Sequence, residues 1–143
     1  MKDKILIVIS DYYKDIANML LQGATKRIIE ANFDFDTIYV AGALELPTAI
    51  AICAETKKYA GYVALGCVVR GETYHFDIVA NESSRAITNL GIYNKLIIGN
   101  GILTVENIEQ AIIRANSHQM NKGGWAAKAC IDLIKVKEKC ITK

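Results

Sequence analysis

Two kinds of hydrophobic pattern alternate along this chain. Short apolar runs rich in β-branched residues predict buried strands, at residues 4–10, 35–40, 62–69 and from 95 through 101. Elsewhere apolar residues recur every three or four positions, which predicts helices ending near residue 31, from 47 to about 59, over 76–86, over 104–115 and around 126–134. Pro47 suits the first position of its helix, and Thr104 is the predicted N-cap of the fourth helix.

Helices placed between strands of this length predict βαβ units, and therefore a parallel sheet covered on both faces. We expect an α/β fold, a three-layer α/β/α sandwich with a four-stranded parallel sheet. With 143 residues, 52% of them hydrophobic, the chain can bury the core of one domain, which we expect to span 1–143.

Composition narrows the choice of partners. The chain mixes 17 basic and 15 acidic side chains for a net charge of +2, without the basic runs that bind nucleic acid or anionic lipid. We therefore expect neither a nucleic-acid nor a membrane partner, and the N-terminal apolar run is too short to cross a bilayer. The four cysteines, at 53, 67, 130 and 140, lack Cys-x-x-Cys spacing and a disulfide-like framework, which argues against a metal site and favours a reducing cytoplasm.

Polar residues follow each predicted strand. Ligands on open parallel sheets bind outside the carboxyl ends of the strands, and the sequence predicts these ends at residues 10–13, 42–45, 70–75 and 100–104. Together they would bring two tyrosines, a carboxylate, an arginine, a histidine and an amide to one edge of the sheet. We predict the ligand site at this edge.

The segment 70–75, Arg-Gly-Glu-Thr-Tyr-His, leads from a strand directly into a helix. A helix N-terminus presents free backbone N–H groups that suit an anion. His75 is either a hydrogen-bonded structural residue or a proton-transfer group beside that anion. Glu72 would repel a phosphate, so we expect only the backbone of this turn to hold one, and we interpret Arg70 as a solvated charge at a strand end.

Other candidates each allow two interpretations. Glu45 is a capping or surface carboxylate unless it binds a ligand, and Tyr12 and Tyr13 either cover the edge of the core or stack on a planar ligand. Taken alone, Arg114 and Lys122 are solvated basic residues near the end of a helix.

Four motifs, in order along the chain, resemble one family. They are GALELP at 42–47, ALGCVVRGETYHFDIVANESSRAI at 64–87, GILTVENIEQAIIRA at 101–115 and NKG at 121–123. Together they resemble the lumazine synthase family, and the resemblance runs nearly from end to end. It implies a flavodoxin-like version of the predicted sheet.

The resemblance also implies an activity. The family joins 5-amino-6-(D-ribitylamino)uracil to L-3,4-dihydroxybutan-2-one 4-phosphate, giving 6,7-dimethyl-8-ribityllumazine, phosphate and water, the penultimate step of riboflavin biosynthesis. It uses no metal and no organic cofactor. The implied partners are the two small-molecule substrates, further copies of the chain that share active sites, and, through the pathway, riboflavin synthase.

Residue roles follow from the same resemblance. His75 becomes the proton-transfer residue, and Tyr12 becomes the ring that stacks on the heterocycle. The residues implied to contact the pyrimidine and its ribityl chain are Ala43, Leu44, Glu45, Cys67, Val68, Val69 and Asn100. Those implied to bind phosphate are Glu72, Thr73, Lys122 and, from the neighbouring subunit, Arg114.

The chain departs from the family pattern at several points. Asn100 stands where many members carry an aromatic residue, and Trp125 where an acidic residue often pairs with the phosphate-binding arginine. The loop 116–120 lacks the Gly-Thr-Lys-x-Gly pattern of many shell-forming members, and the chain begins almost at its first strand. We therefore expect a pentamer rather than an icosahedral shell.

Two alternatives remain at this point. One is a flavin- or lumazine-binding protein on the same scaffold that has lost turnover. The other is a phosphorylation-controlled receiver domain with the same alternation of strands and helices. The sequence argues against a receiver, because the third strand ends in Cys-Val-Val-Arg without an acceptor aspartate, and one aspartate rather than an acidic pair follows the first strand.

Overall fold

A computed structural model describes residues 2–141, so the two ends of the expected 1–143 domain lie outside the described residues. Strands and helices alternate along it. The elements are β1 (Lys4–Ser10), α1 (Lys14–Glu30), β2 (Asp34–Val40), a 3-10 turn (Ala43–Glu45), α2 (Leu46–Ala54), β3 (Gly61–Val69), α3 (His75–Asn94), β4 (Ile98–Val105), α4 (Ile108–Ala115) and α5 (Lys122–Ile141).

The four strands form one parallel sheet in the order β2-β1-β3-β4. This order reverses direction between β1 and β3, as it does in flavodoxin-like folds, whose ligands bind beside that point. The predicted α/β sandwich with a four-stranded parallel sheet is therefore confirmed.

The core lies in two layers because successive strand residues point to opposite faces of the sheet. On β1, Ile5, Ile7 and Ile9 pack in the cluster formed with α1, α4 and α5. Leu6 and Val8 pack in the other cluster, with α2 and α3. Both faces of β1 are therefore buried, which explains its uninterrupted apolar sequence.

Several predicted boundaries are wrong. Helix α2 ends at Ala54 rather than near 59, because the chain turns there and Lys57 takes a left-handed conformation with φ of 54°. Helix α3 extends beyond residue 86 to Asn94, where Lys95, with φ of 59°, forms the C-cap. Local propensity does not set these ends, since each depends on where the chain must turn back to the sheet.

The fourth strand and the helix after it also differ from the prediction. Thr104 lies inside β4, which runs to Val105, and so it is not an N-cap. Asn107 caps α4 instead, its side chain accepting a hydrogen bond from the Gln110 N–H at 2.9 Å. The carboxyl end of β4 therefore lies five residues beyond Asn100.

Helix α5 approaches its neighbours unusually closely. A Cβ atom at Gly99 of β4 would lie 1.9 Å from the Ala126 carbonyl oxygen, and one at Gly123 would lie 2.1 Å from the Leu20 carbonyl oxygen of α1. Hydrogen is the only side chain that fits at these two crossings. Among the helices within residues 2–141, none combines the length and hydrophobicity needed to span a bilayer.

Candidate active site

A pocket of about 420 Å³ opens at the carboxyl ends of β1 and β3, beside the point where the strand order reverses. We call it the strand-end pocket. Its lining residues are Ser10, Tyr12, Tyr13, Gly42, Ala43, Leu44, Glu45, Cys67, Val68, Val69, His75 and Val79. The buried Ser10 hydroxyl donates a hydrogen bond to the Ala41 carbonyl oxygen at 3.1 Å, which joins the end of β1 to the loop after β2.

The wall after β2 is a short 3-10 turn held by its own carboxylate. Glu45 Oε1 accepts a hydrogen bond from the Gly42 N–H at 2.9 Å. Leu46 and Pro47 are buried behind it as α2 begins, which fixes the turn against the core. The capping interpretation of Glu45 therefore holds for this side chain, while its position still exposes it to the pocket.

The floor of the pocket is the end of β3, contributed by Cys67, Val68 and Val69. Burial raises the pKa of the Cys67 thiol to about 11. The thiol is consequently neutral near pH 7 and contributes to the floor as a small apolar group rather than as a nucleophile.

Two tyrosines form the wall after β1. Tyr12 is 74% exposed, and its ring centroid lies 4.9 Å from that of the half-buried Tyr13 in an edge-to-face arrangement. Burial, followed by the neighbouring Tyr12, raises the pKa of Tyr13. Tyr13 therefore supports the wall, and the free face of Tyr12 is available to a planar ligand.

His75 is the first residue of α3 and lies at the rim of the pocket. Its backbone N–H donates a hydrogen bond to Thr73 Oγ1 at 3.3 Å, which bends the exposed turn 71–75 into the helix. Glu72 and Thr73 lie on this turn, outside the residues that line the pocket. The turn therefore presents an imidazole, a hydroxyl and free backbone N–H groups at one rim.

A second pocket, of about 360 Å³, lies between β4 and the start of α5. We call it the basic pocket, and it is lined by Asn100, Gly101, Ile102, Leu103, Thr104, Arg114, Lys122, Trp125, Ala126 and Ala129. Arg114 donates a hydrogen bond to the Gln110 carbonyl oxygen at 3.2 Å. Within residues 2–141, no carboxylate lines this pocket, so its two cationic side chains are available to an anion.

Trp125 and Asn100, the two residues at which the chain departs from the family pattern, both line the basic pocket. Trp125 is 56% exposed, and the Arg27 guanidinium lies 5.6 Å from its ring centroid, so it is not a core residue. Asn100 lies in the middle of β4, where its Oδ1 accepts a hydrogen bond from the Ile102 N–H at 2.9 Å. The prediction that Asn100 marks the end of a strand is therefore wrong, and it lines the basic pocket instead.

The structure divides the predicted site residues into three groups. The residues that line the strand-end pocket are Tyr12, Ala43, Leu44, Glu45, Cys67, Val68, Val69 and His75. Glu72 and Thr73 lie on the adjoining turn, and the basic pocket contains Asn100, Arg114 and Lys122. The two pockets share no lining residue.

Four residues that line the strand-end pocket were given no individual role from the sequence, namely Ser10, Tyr13, Gly42 and Val79. Ser10 and Gly42 belong to the predicted strand ends 10–13 and 42–45, so the sequence did place them at the ligand-binding edge. Val79 follows His75 by one helical turn, so the spacing of α3 was its signal. Tyr13 could not be separated from Tyr12, because only the packing of α1 decides which ring faces outward.

The composition of the strand-end pocket limits its chemistry. It offers an aromatic face, an apolar floor, backbone groups of a 3-10 turn and one imidazole, which suits a planar polar molecule undergoing proton transfer. Among the described residues that line it, none is lysine or arginine. Within residues 2–141, no three His, Cys, Asp or Glu side chains cluster as a protein metal site would require.

An open parallel sheet with its pocket beside the reversal of strand order defines a flavodoxin-like α/β protein that binds a small molecule at strand ends. Comparison with known proteins narrows this class. A family model described as 6,7-dimethyl-8-ribityllumazine synthase matches residues 2–138, and the chain belongs to that family.

Curated relatives agree with this assignment. The 6,7-dimethyl-8-ribityllumazine synthase of Bartonella tribocorum is 52% identical over 139 residues, which cover 96% of this chain and 92% of the relative. The proteins of the same name from Zymomonas mobilis and Agrobacterium fabrum are 52% and 50% identical, covering 95% and 96% of this chain and 97% of each relative.

Proposed function

We propose that this chain catalyses the condensation of 5-amino-6-(D-ribitylamino)uracil with L-3,4-dihydroxybutan-2-one 4-phosphate to 6,7-dimethyl-8-ribityllumazine, phosphate and water. Family membership over residues 2–138 is the observation that carries the proposal. The lining of the strand-end pocket supports it independently, because the pocket offers a ring, a turn of backbone groups and an imidazole to a pyrimidine with a polar side chain.

The pyrimidine substrate occupies the strand-end pocket in this proposal. Its ring stacks on the exposed face of Tyr12, and its ribityl chain and ring edges contact the 3-10 turn 43–45 and the strand end 67–69. The hydrogen bond from the Gly42 N–H to Glu45 pre-organises that turn before the ligand arrives.

His75 moves protons in the reaction. The substrate amine attacks the ketone, loss of water gives a Schiff base, phosphate leaves, and ring closure releases a second water. Each step transfers a proton, and the His75 imidazole at the rim can accept and return one. Much of the acceleration comes from holding the two substrates in contact.

The phosphate group needs cations that the strand-end pocket lacks. The turn bearing Glu72 and Thr73 offers backbone N–H groups and a hydroxyl, while Arg114 and Lys122 lie in the separate basic pocket. We propose that the basic pocket of a neighbouring subunit closes the site, so that Arg114 holds the phosphate and Asn100 approaches the substrates from the same side. A pentamer is the assembly we propose for this arrangement.

Two cellular features complete the proposal. All four cysteines are free thiols, which supports a cytoplasmic location because thiols persist in reducing compartments. The product is the substrate of riboflavin synthase in riboflavin biosynthesis, and this is the functional link we propose between the two enzymes.

Mixing the two purified substrates with the protein tests the activity. We expect the absorbance and fluorescence of the lumazine to appear together with one equivalent of inorganic phosphate, and omission of either substrate to abolish both signals. Tight binding of the lumazine without turnover would instead identify a non-catalytic lumazine-binding protein.

A further inference from the structure

The turn that carries His75 has little support of its own. Residues 71–75 are all exposed, and a Cβ atom at Gly71 would meet nothing within 4 Å. Between residues of this turn the structure shows one hydrogen bond, from the His75 N–H to Thr73 Oγ1. The Tyr74 carbonyl oxygen also accepts hydrogen bonds from the Asp77 and Ile78 N–H groups, at 3.0 and 3.3 Å, which join the turn to α3. The position of the imidazole therefore depends on how the first turn of α3 is held.

Arg70 contributes contacts on both sides of the turn. Its backbone N–H donates to the Val105 carbonyl oxygen at 2.9 Å, and its Nε donates to both oxygens of Glu106 at 2.9 and 3.1 Å. These bonds attach the end of β3 to the end of β4. Arg70 is exposed at the end of β3, as the sequence predicted, and its guanidinium is in addition paired with Glu106.

The same guanidinium also reaches the start of α3. Its central carbon lies 4.3 Å from the ring centroid of Phe76, and a terminal nitrogen lies 3.6 Å from Asp77 Oδ2. Phe76 and Asp77 follow His75 directly in the sequence, and Phe76 is buried. Arg70, which immediately precedes the turn, therefore contacts the two residues that immediately follow it.

Glu106, the main partner of Arg70, is itself held in place. Its backbone N–H donates to Gln110 Oε1 at 2.8 Å, one turn into α4, next to the Asn107 cap. The hydrogen bond to Glu106, with the charge of Asp77 adding to it, raises the pKa of Arg70. The Arg70–Glu106 ion pair therefore joins a guanidinium that stays charged to a glutamate whose backbone is fixed to α4.

We propose that Arg70 is a positioning residue for the reaction, which holds the first turn of α3 against the ends of β3 and β4 and so keeps His75 at the rim of the strand-end pocket. This inference rests on the proposed function of that site. Arg70 does not line the pocket, and its effect on turnover passes through His75.

Arg70→Met tests the inference by steady-state kinetics. We expect kcat to fall about 10- to 100-fold, because small displacements of a catalytic group cost that much, while KM for each substrate stays within about threefold. Arg85→Met is the matched control, since Arg85 also pairs with a glutamate, Glu82, on the same helix. It should keep kcat within about twofold of wild type.

Hydrogen exchange separates positioning from general stability. We expect the amides of residues 71–76 to exchange faster in Arg70→Met than in wild type and in Arg85→Met, with similar Tm values for all three proteins. Arg70→Lys should restore only part of kcat, because an ammonium cannot form the planar two-oxygen contact with Glu106. Combining Arg70→Met with Glu106→Gln should cost no more than Arg70→Met alone.

Some outcomes overturn the proposal. They are an Arg70→Met protein with kcat within twofold of wild type, an unchanged exchange rate in residues 71–76, or an equal loss in Arg85→Met. If Arg70→Met does not fold, Glu106→Gln is measured in its place against the same criteria. A wild-type protein that makes no lumazine would refute the proposed function, while the exchange experiment would still decide whether Arg70 holds the turn.

Discussion

Glu45 and His75 occupy the same pocket but differ in how free their side chains are. The Glu45 carboxylate already accepts the Gly42 N–H and so serves the turn that it belongs to. The hydrogen bond recorded at His75 comes from its backbone N–H, and its side chain is exposed at the rim. Of these two groups, the imidazole is therefore the one available to move protons during turnover.

His75→Ala should lower kcat about 100-fold, the lower end of the range for general acid–base catalysis, because substrate positioning is retained. The affinity for the pyrimidine substrate, measured by titration calorimetry, should change by less than about threefold, since stacking on Tyr12 is intact. His118→Ala is the control, because His118 lies exposed in the loop after α4, away from both pockets. An unaltered kcat in His75→Ala would assign proton transfer to another group.

Arg114→Ala should mainly weaken the phosphate-bearing substrate. A hydrogen bond to a charged group is worth about 1.5–3 kcal/mol, so we expect KM for the butanone phosphate to rise roughly 10- to 100-fold. The KM for the pyrimidine should stay nearly constant. Steady-state kinetics with each substrate varied in turn measures both values, and an equal rise for the pyrimidine would contradict a phosphate-binding role.

At the scale of elements, close backbone approaches determine how α5 sits on the rest of the fold. A side chain at Gly123 would collide with the Leu20 carbonyl oxygen of α1. A side chain at Gly99 of β4 would likewise collide with the Ala126 carbonyl oxygen of α5. The start of α5 carries Lys122 and Trp125 into the basic pocket. The crossing of α1 and α5 therefore sets where those side chains point.

Gly123→Ala should destabilise the protein by about 1–3 kcal/mol, because the added Cβ forces two helix backbones apart. This cost exceeds the gain in helix propensity from replacing glycine by alanine. Urea unfolding gives the free energy directly. Gly71→Ala is the matched control, since nothing lies within 4 Å of its Cβ, and it should change stability by less than about 0.5 kcal/mol. Equal stabilities of the two variants would refute the close approach.

The edge strand β2 is attached to the loop before β3 by a polar cluster. Tyr59 donates a hydrogen bond to Asp36 Oδ2 at 2.8 Å, and Lys4 Nζ lies 3.4 Å from Asp36 Oδ1. Burial and then the bond to Asp36 raise the pKa of Tyr59 to about 12, while the bond from Tyr59 lowers that of Asp36. The folded state therefore favours a protonated phenol beside an ionised carboxylate.

This pairing makes a prediction for alkaline pH. An unfolded tyrosine ionises near pH 10, but folded Tyr59 keeps its proton to about pH 12. Its contribution to the free energy of unfolding is therefore complete below pH 10 and is lost as the pH rises to about 12. In urea unfolding at pH 8 to 12, Tyr59→Phe should lose stability less steeply than wild type. Parallel curves for the two proteins would refute the raised pKa.

At the scale of the whole molecule, the chain carries two pockets that share no lining residue. The strand-end pocket has an imidazole and no lysine or arginine, and the basic pocket has two cations and, among the described residues, no carboxylate. In the assembly proposed above, one chain supplies each pocket of a complete site, and a closed ring of identical subunits provides one such junction per subunit.

Mixed assemblies test this arrangement. Co-assembly of equal amounts of His75→Ala and Arg114→Ala subunits should restore complete sites at about a quarter of the junctions. At a butanone phosphate concentration well below the KM expected for Arg114→Ala, turnover should then exceed the mean of the two separate variants. Co-assembly of His75→Ala with the double variant His75→Ala, Arg114→Ala cannot form a complete site and is the control. Activity equal to the mean in both mixtures would place the whole site within one chain, and sedimentation would show whether the native particle contains five copies.

The sequence by itself determined the architecture and most of the strand-end pocket. Both follow from local regularities: apolar runs and helical spacing predict strands and helices, and parallel strands necessarily bring their carboxyl ends to one edge. Tyr12, the turn at 43–45 and His75 are each adjacent to such an end. Their convergence could therefore be predicted without knowing any contact.

Only the tertiary structure decided the remaining features. It placed Asn100 inside β4, ended α2 at Ala54 and separated Arg114 from the strand-end pocket. It also showed that Arg70 is bonded to Glu106, which lies 36 residues further along the chain. Contacts over such distances depend on how whole elements pack together, and no local pattern of residues encodes that packing.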